Sequence, residues 1–260
     1  MGVITSLWLF ERRISTEPTG KKWRHTWGNF LFVASALPIQ LAISVVLIAV
    51  SGWTQVHHWG LAYLLPDALG PWARYLFMFM VLDLLAYVYH VLMHRIALFW
   101  RFHLVHHTDG TVDVSTTVRE HPGETFLRNC IELLFAFLCG ASFWVLMLRQ
   151  SVQSVSNIIA HTSCRFSPRL ARILGWVFIT PNLHHVHHHY RLPYTNCNYG
   201  DVLSIWDRLF GTYTELAAED TRFGLDTHMH ARSGVSYGDM MKMPFQKPGA
   251  HGKKQPPAPG

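Results

Sequence analysis

The 260-residue sequence predicts an all-α, polytopic integral membrane protein. About four spans are expected, one pair forming a helical hairpin, beneath a cytoplasmic His-rich helical cap that binds metal. Three observations carry this expectation. Half of the residues are hydrophobic and only 15% are charged, which is apolar for a water-soluble chain. Several apolar runs are long enough to cross about 30 Å of hydrocarbon. The 18 histidines are clustered, with "HLVHH" at 103–107 and "HHVHH" at 184–188 repeating one spacing.

The elements follow in chain order. Residues 1–26 form a basic, cytoplasmic N-terminal segment containing "ERR" and "KKWRH". The first span, "WGNFLFVASALPIQLAISVVLIAVSGW" at 27–53, carries Trp at both edges. Residues 54–71 are a nearly uncharged loop containing Asp67. The second span starts near Pro71 and runs "RYLFMFMVLDLLAYVYHVLMH". Because basic residues precede the first span, the second returns His90 and His94 to the cytoplasmic edge. After a polar stretch, the apolar run 125–160 is too long for one span and is punctuated at Cys139-Gly140. It is expected to fold as a hairpin of short arms turning near Gly140, with Arg128 and Glu132 requiring partners or an interior position. Residues 167–180 suit an interfacial amphipathic helix. In "WDRLFGTY" at 206–213, Trp206, Leu209 and Phe210 are expected as apolar anchors and Gly211 as a stop. Residues 27–215 thus make one membrane-embedded unit, and 216–260 a polar, partly disordered tail ending "QKPGAHGKKQPPAPG".

The net charge of +6 lies in the ends and between apolar runs, which suits membrane flanks and not nucleic acid. The four cysteines, Cys130, Cys139, Cys164 and Cys197, form no Cys-x-x-Cys and imply neither a disulfide framework nor a thiolate zinc site. "MGVITSLWLFERR" lacks the basic leader and cleavage site of a signal peptide, and Ser6 gives only a weak myristoylation match.

The histidine spacing carries the chemistry. On a helix, residues i, i+3 and i+4 share a face, so His103, His106 and His107 are expected to aim three imidazoles at one point, as are His184, His187 and His188. His90 and His94 pair at i and i+4. Chance would supply roughly 0.1 such His-x-x-His-His matches. Imidazole is a preferred ligand for iron, zinc, copper and nickel. So many neutral nitrogens point to two metals, and O₂ activation would favour iron. The isolated His25, His57, His58, His228, His230 and His251 fit ordinary surface or core roles, and His185 and His189 fit neighbours of the second cluster better than ligands.

"DLLAYVYHVLMHRIALFWRFHLVHH", "HPGE", "TPNLHHVHH" and "NYGDVLSIWDRLFGTY" together resemble the fatty acid hydroxylase/sterol desaturase superfamily, over roughly residues 75–215. The resemblance implies a membrane-bound, non-haem diiron oxidoreductase of lipids. Its ligands would map to His90, His94, His103, His106, His107, His184, His187 and His188. A further histidine would be His161, with His121 as the alternative. Asn157 stands where some members have another histidine. Asp83 and Tyr87 share the face of His90 and His94, where a carboxylate could orient an imidazole or pair with an arginine. Arg95, Arg101 and Arg119 fit orienting or interfacial roles. The resemblance further implies O₂-dependent C–H hydroxylation of a membrane lipid at the cytoplasmic face, in an inner membrane or endoplasmic reticulum. Desaturation by the same site is the alternative, and zinc can substitute for iron. With no dinucleotide fingerprint, haem domain or iron–sulfur set in view, electrons would come from a ferredoxin or cytochrome b5-like donor. A metal transporter would place ligands near the membrane midplane, and a bis-His haem carrier needs facing pairs instead of triplets. Spacing leaves the oligomeric state open.

Overall fold

In a computed structural model, residues 2–14, 19–66, 68–228 and 235–246 are described. Asp67, His230, His251 and the Pro/Gly/Lys-rich tail lie outside them. The described residues are helical, with two isolated bridges, Phe178–Leu203 and His189–Phe223, and no strand.

A short α1 (Gly2–Ile14) precedes the long α2 (Thr19–Val56). At 38 residues α2 measures roughly 57 Å, and it runs through residue 26 without a break. α3 (Pro71–Arg95) follows, starting on a proline at N1, where the missing N–H costs nothing. The Gly20–Leu64 segment and α3 are the two candidates long and apolar enough to cross a membrane. In the most apolar window of the first, only 11% of residues are buried. Val45 on α2, Leu76 on α3 and Trp144 further on stay 69%, 63% and 71% exposed, an apolar belt that the protein itself does not cover.

α4 (Ala97–His107) turns off α3 at Ile96. α5 (Pro122–Cys139) and α6 (Phe143–Ala160) meet at Gly140, which adopts a left-handed conformation. A Cβ at Gly140 would run into the Trp59 carbonyl, so glycine is required there for both backbone and space. The two arms splay around α3: Met78 and Leu82 pack with Cys139, Ala141 and Val145. Arg128 pairs with Glu120 at 2.9 Å and with Glu132 at 3.8 Å, and Arg149 bridges to Glu132 at 3.7 Å. The charges of the arms are thus satisfied by one another.

Three expectations change. The amphipathic segment shortens to α7 (Pro168–Leu174), because Gly175 ends it. Leu209 and Phe210, in and after α9 (Ile205–Leu209), are exposed and not buried anchors, although Phe210 stacks on Tyr87. Beyond residue 216, α10 (Tyr237–Lys242) returns to the core, where Met240 and Met243 pack with Phe32, Leu104 and Val105. Two methionines in a polar stretch are too sparse to reveal this by periodicity.

Candidate metal centre

Four elements converge on one interior point: α3, α4, the C-cap of α6, and α8 (Pro181–His187) with its C-cap His188. They bring nine histidines into two groups. His90, His94, His103, His107 and His187 form the first, and His106, His161, His184 and His188 the second. Within each group the ligand atoms lie within 4.8 Å of one another. The groups abut, with His107 and His188 stacked at 4.7 Å and His184 and His187 at 5.3 Å between ring centroids.

The three histidines of each motif do not aim at one point. His103 and His107 serve the first group and His106 the second; His184 and His188 serve the second and His187 the first. Helix geometry explains this correction. Residues i and i+4 differ by about 40° around the axis, whereas neighbours such as His106 and His107 differ by about 100°. One motif therefore feeds two sites, and the second motif repeats the arrangement reciprocally.

Second-layer hydrogen bonds fix which nitrogen faces inward. A ring nitrogen facing a carbonyl must donate, so its N–H lies there and the other nitrogen carries a lone pair. Nδ1 donates from His90 to the Tyr199 carbonyl at 2.8 Å, from His187 to that of Cys197 at 2.7 Å, and from His106 to that of Arg119 at 3.2 Å. His161 donates to the Asn157 carbonyl at 2.8 Å and His103 to the Glu124 carboxylate at 2.7 Å, while His94 Nδ1 meets Asn196 Oδ1 at 3.2 Å. Nε2 of His90, His94 and His187 is then buried with no partner. Nε2 of His106 and of His161 face each other at 3.1 Å, two lone pairs with no proton between them. A cation resolves both oddities, so the donor set fits metal. Burial first, and neighbouring imidazoles second, hold His106, His107, His184, His187 and His188 well below the ordinary imidazole value. Burial brings His103 down to about 4. All are therefore in the neutral, ligating form at pH 7.

Other candidates fall elsewhere. Asp83 accepts from Trp206 Nε1 at 2.8 Å instead of from an imidazole. Tyr87 bonds Thr212 and packs edge-on against Tyr199. His121 caps α5 by accepting from Gly123 N, outside both groups. Asn157 takes part through its carbonyl. His185 meets the Thr162 carbonyl and His189 meets Arg191, and neither joins a group. Arg119 is buried and holds Val105 O, Asn29 and Thr108.

Two residues are missed by the sequence analysis. Glu124, in the first turn of α5 after Pro122, sits in the "HPGE" already singled out. Asp207 accepts from Tyr199 N at 2.7 Å, Gly200 N at 2.9 Å and Thr212 Oγ1 at 2.7 Å. It clamps the loop whose carbonyls orient His90 and His187, and its only sequence signal is an acid beside Trp206.

A cavity of about 270 Å³ borders both groups, reaching His90 and His103 of the first and His106, His161 and His184 of the second.

Comparison with known proteins adds identity to this geometry. Over 127 residues, 49% of this chain, it is 35% identical to the ornithine lipid hydroxylase of Rhizobium tropici and covers 38% of that protein. It is 31% identical over 165 residues to the alkylglycerol monooxygenase of Caenorhabditis elegans, covering 61% of this chain and 30% of the relative. Human cholesterol 25-hydroxylase is 24% identical over 138 residues, 53% of this chain and 50% of that protein. The chain thus spans half or less of these relatives' lengths. No solved structure matches it. The fatty acid hydroxylase family model matches residues 75–212, which hold all nine clustered histidines, and the chain belongs to that family.

Proposed function

We propose that the protein is an O₂-dependent lipid hydroxylase with a histidine-ligated diiron centre at the cytoplasmic face of a multi-pass membrane domain. The observation that carries this reading is the pair of abutting imidazole groups, whose inward lone pairs find no proton. The relatives' names, all lipid or sterol hydroxylases and monooxygenases, support the substrate class and the preference for hydroxylation over desaturation. The exposed apolar belt on α2, α3 and α6 supports four spans, with α5 and α6 as the short hairpin.

The nine histidines of the two groups would hold two iron ions, with zinc able to substitute. Bound iron would supply the O₂ activation needed to oxidise an unactivated C–H bond. The chain's own part is to hold and to exclude. Glu124 and the carbonyls of Arg119, Asn157, Cys197 and Tyr199 keep the proton of His103, His106, His161, His187 and His90 on the outward nitrogen. Burial of the group keeps bulk water from the reacting centre. Electrons would come from a ferredoxin or cytochrome b5-like donor.

Iron-loaded protein in membranes, given a reductant, an electron carrier and ¹⁸O₂, should place one labelled oxygen in a lipid product. A new double bond with no label would make it a desaturase. Turnover without O₂ would end the oxygenase reading.

A further inference from the structure

We infer that Glu11 is a positioning residue of the second imidazole group, tying together the two segments that set His106 and His161. It stands on α1, outside the family-matched residues 75–212. The inference rests on the metal-centre reading and names a residue that holds that centre in shape.

Glu11 sits where a carboxylate is costly. It is 1% exposed, and a buried charge persists only with partners. Those partners come from three places. Oε1 accepts from Ser163 N at 2.6 Å, both oxygens share Val114 N at 3.3 Å, and Oε2 meets the Lys22 ammonium at 3.4 Å. Val114 opens the short 3-10 helix Val114–Val118, so its amide has no acceptor within that helix. The C-cap of the same helix is Arg119, whose carbonyl accepts from His106 Nδ1 at 3.2 Å. Ser163 lies two residues after His161, whose Nε2 faces His106 Nε2 at 3.1 Å. The contacts close a ring. It runs from Glu11 through Val114 and Arg119 to His106, across to His161, and back through Ser163.

The ring serves the group with the least other support. Nδ1 of His184 and of His188 has no partner, so His106 and His161 are its two anchored members. Glu11 reaches both: His106 through the 114–119 segment, and His161 through the chain that leaves the end of α6. The rest of α1 fits the same task. Ile4, Leu7 and Trp8 pack on Val114 and Ile158, and Trp8 Nε1 donates to Thr26 of α2 at 2.8 Å. Ile4 also lines the cavity beside His106 and His161. The first group leans on the 196–200 loop and Glu124, with which Glu11 makes no hydrogen bond among the described residues. A carboxylate suits the place because it accepts several N–H bonds at once. An amide there would turn a donor of its own toward the Lys22 ammonium or a backbone N–H.

The test uses the full chain in lipid nanodiscs, loaded with zinc and challenged with a chromophoric chelator, so that metal release is read apart from turnover. His187→Ala leaves metal in the second group, and His106→Ala leaves it in the first. Glu11→Gln should speed release about tenfold in the His187→Ala background and leave it unchanged in the His106→Ala background. Leu7→Ala loosens α1 without touching the carboxylate. It should lower thermal stability and leave release in both backgrounds unchanged, which separates positioning from mere packing. Equal acceleration by Glu11→Gln in both backgrounds, or acceleration in neither, overturns the inference. Metal-free protein gives an independent reading, in which Glu11→Gln should speed hydrogen exchange at 114–119 and 161–163 and leave 196–200 unchanged. That pattern in a chain that binds no zinc would sustain the tie between the two segments and remove the metal-centre reading.

Discussion

The two imidazole groups differ in number and in how they are held. The first has five members, and four of them have Nδ1 on a partner: Tyr199 and Cys197 carbonyls, Asn196 and Glu124. The second has four members, and only His106 and His161 are so anchored, while Nδ1 of His184 and His188 has none. Five nitrogens come close to filling an octahedral ion, whereas four leave more room. The supports come from different regions. The first group leans on the 196–200 loop clamped by Asp207, and the second on the segment 108–119. There Asp109 and Asp113 face His25, and Lys22 pairs with Glu11 and Asp113. Glu11 of α1 reaches across to Val114 N and Ser163 N. The lesson is that one repeated motif builds two groups of unequal support, because unlike surroundings back each group.

The strongest way to break this comparison is to test the crossing assignment. His106→Ala should cost about half of the bound metal, as should His187→Ala, with turnover lost in both. Combining His106→Ala with His161→Ala, from one group, should remove little more. Combining His106→Ala with His187→Ala, from different groups, should remove nearly all. Metal analysis giving the same loss for both pairs would mean that the motifs do not cross.

Glu124→Gln comes next. It replaces the charged acceptor of His103 Nδ1–H, and metal retention in the first group should weaken by about 10–100-fold against a chelator. His121→Ala, which removes the α5 cap and the bond to the Met241 carbonyl, should leave retention unchanged and cost about 1–2 kcal/mol of stability.

Asp207→Asn should act on the first group alone, through the loop it clamps, with a loss of metal affinity of about tenfold. A competition assay that finds the second group equally weakened would deny the separate supports.

The smallest effect is a pH dependence. Burial works to raise Asp113, but the His25 ring and Ser115 outweigh it and hold the carboxyl below its usual range. Burial likewise opposes His25 and Arg119 at Asp109, and Asp109 is also lowered. A carboxylate with a depressed folded-state pKa contributes stability above its unfolded value of about 3.9 and loses it as pH falls toward the folded value. Burial leaves Asp207 raised, so its contribution has the opposite sign and grows on acidification. Acid below about pH 4 should therefore loosen the 108–119 segment before the Asp207 loop. Hydrogen exchange resolved by segment would show the order, and Asp113→Asn should flatten the acid response of the first segment.

The sequence by itself determined the long helices and the histidines that come together. Apolar length marks α2 and α3, proline and glycine punctuate α5 and α6, and helical spacing singles out the histidines, all of which are local signals. His161 needed the resemblance, because one histidine at a helix end has no period. What only the tertiary structure decided is the division of the nine into five and four, since spacing shows a shared face but not which neighbouring helix faces it. The same holds for Glu124 and Asp207. Each acts across a distance of chain, on His103 and on the Tyr199–Gly200 backbone, and a lone acid carries no pattern until folding places its partner. Asp83 shows the converse: it lies on the expected face of α3, yet the chain's return at Trp206 reaches it first, and the imidazoles turn to backbone carbonyls instead.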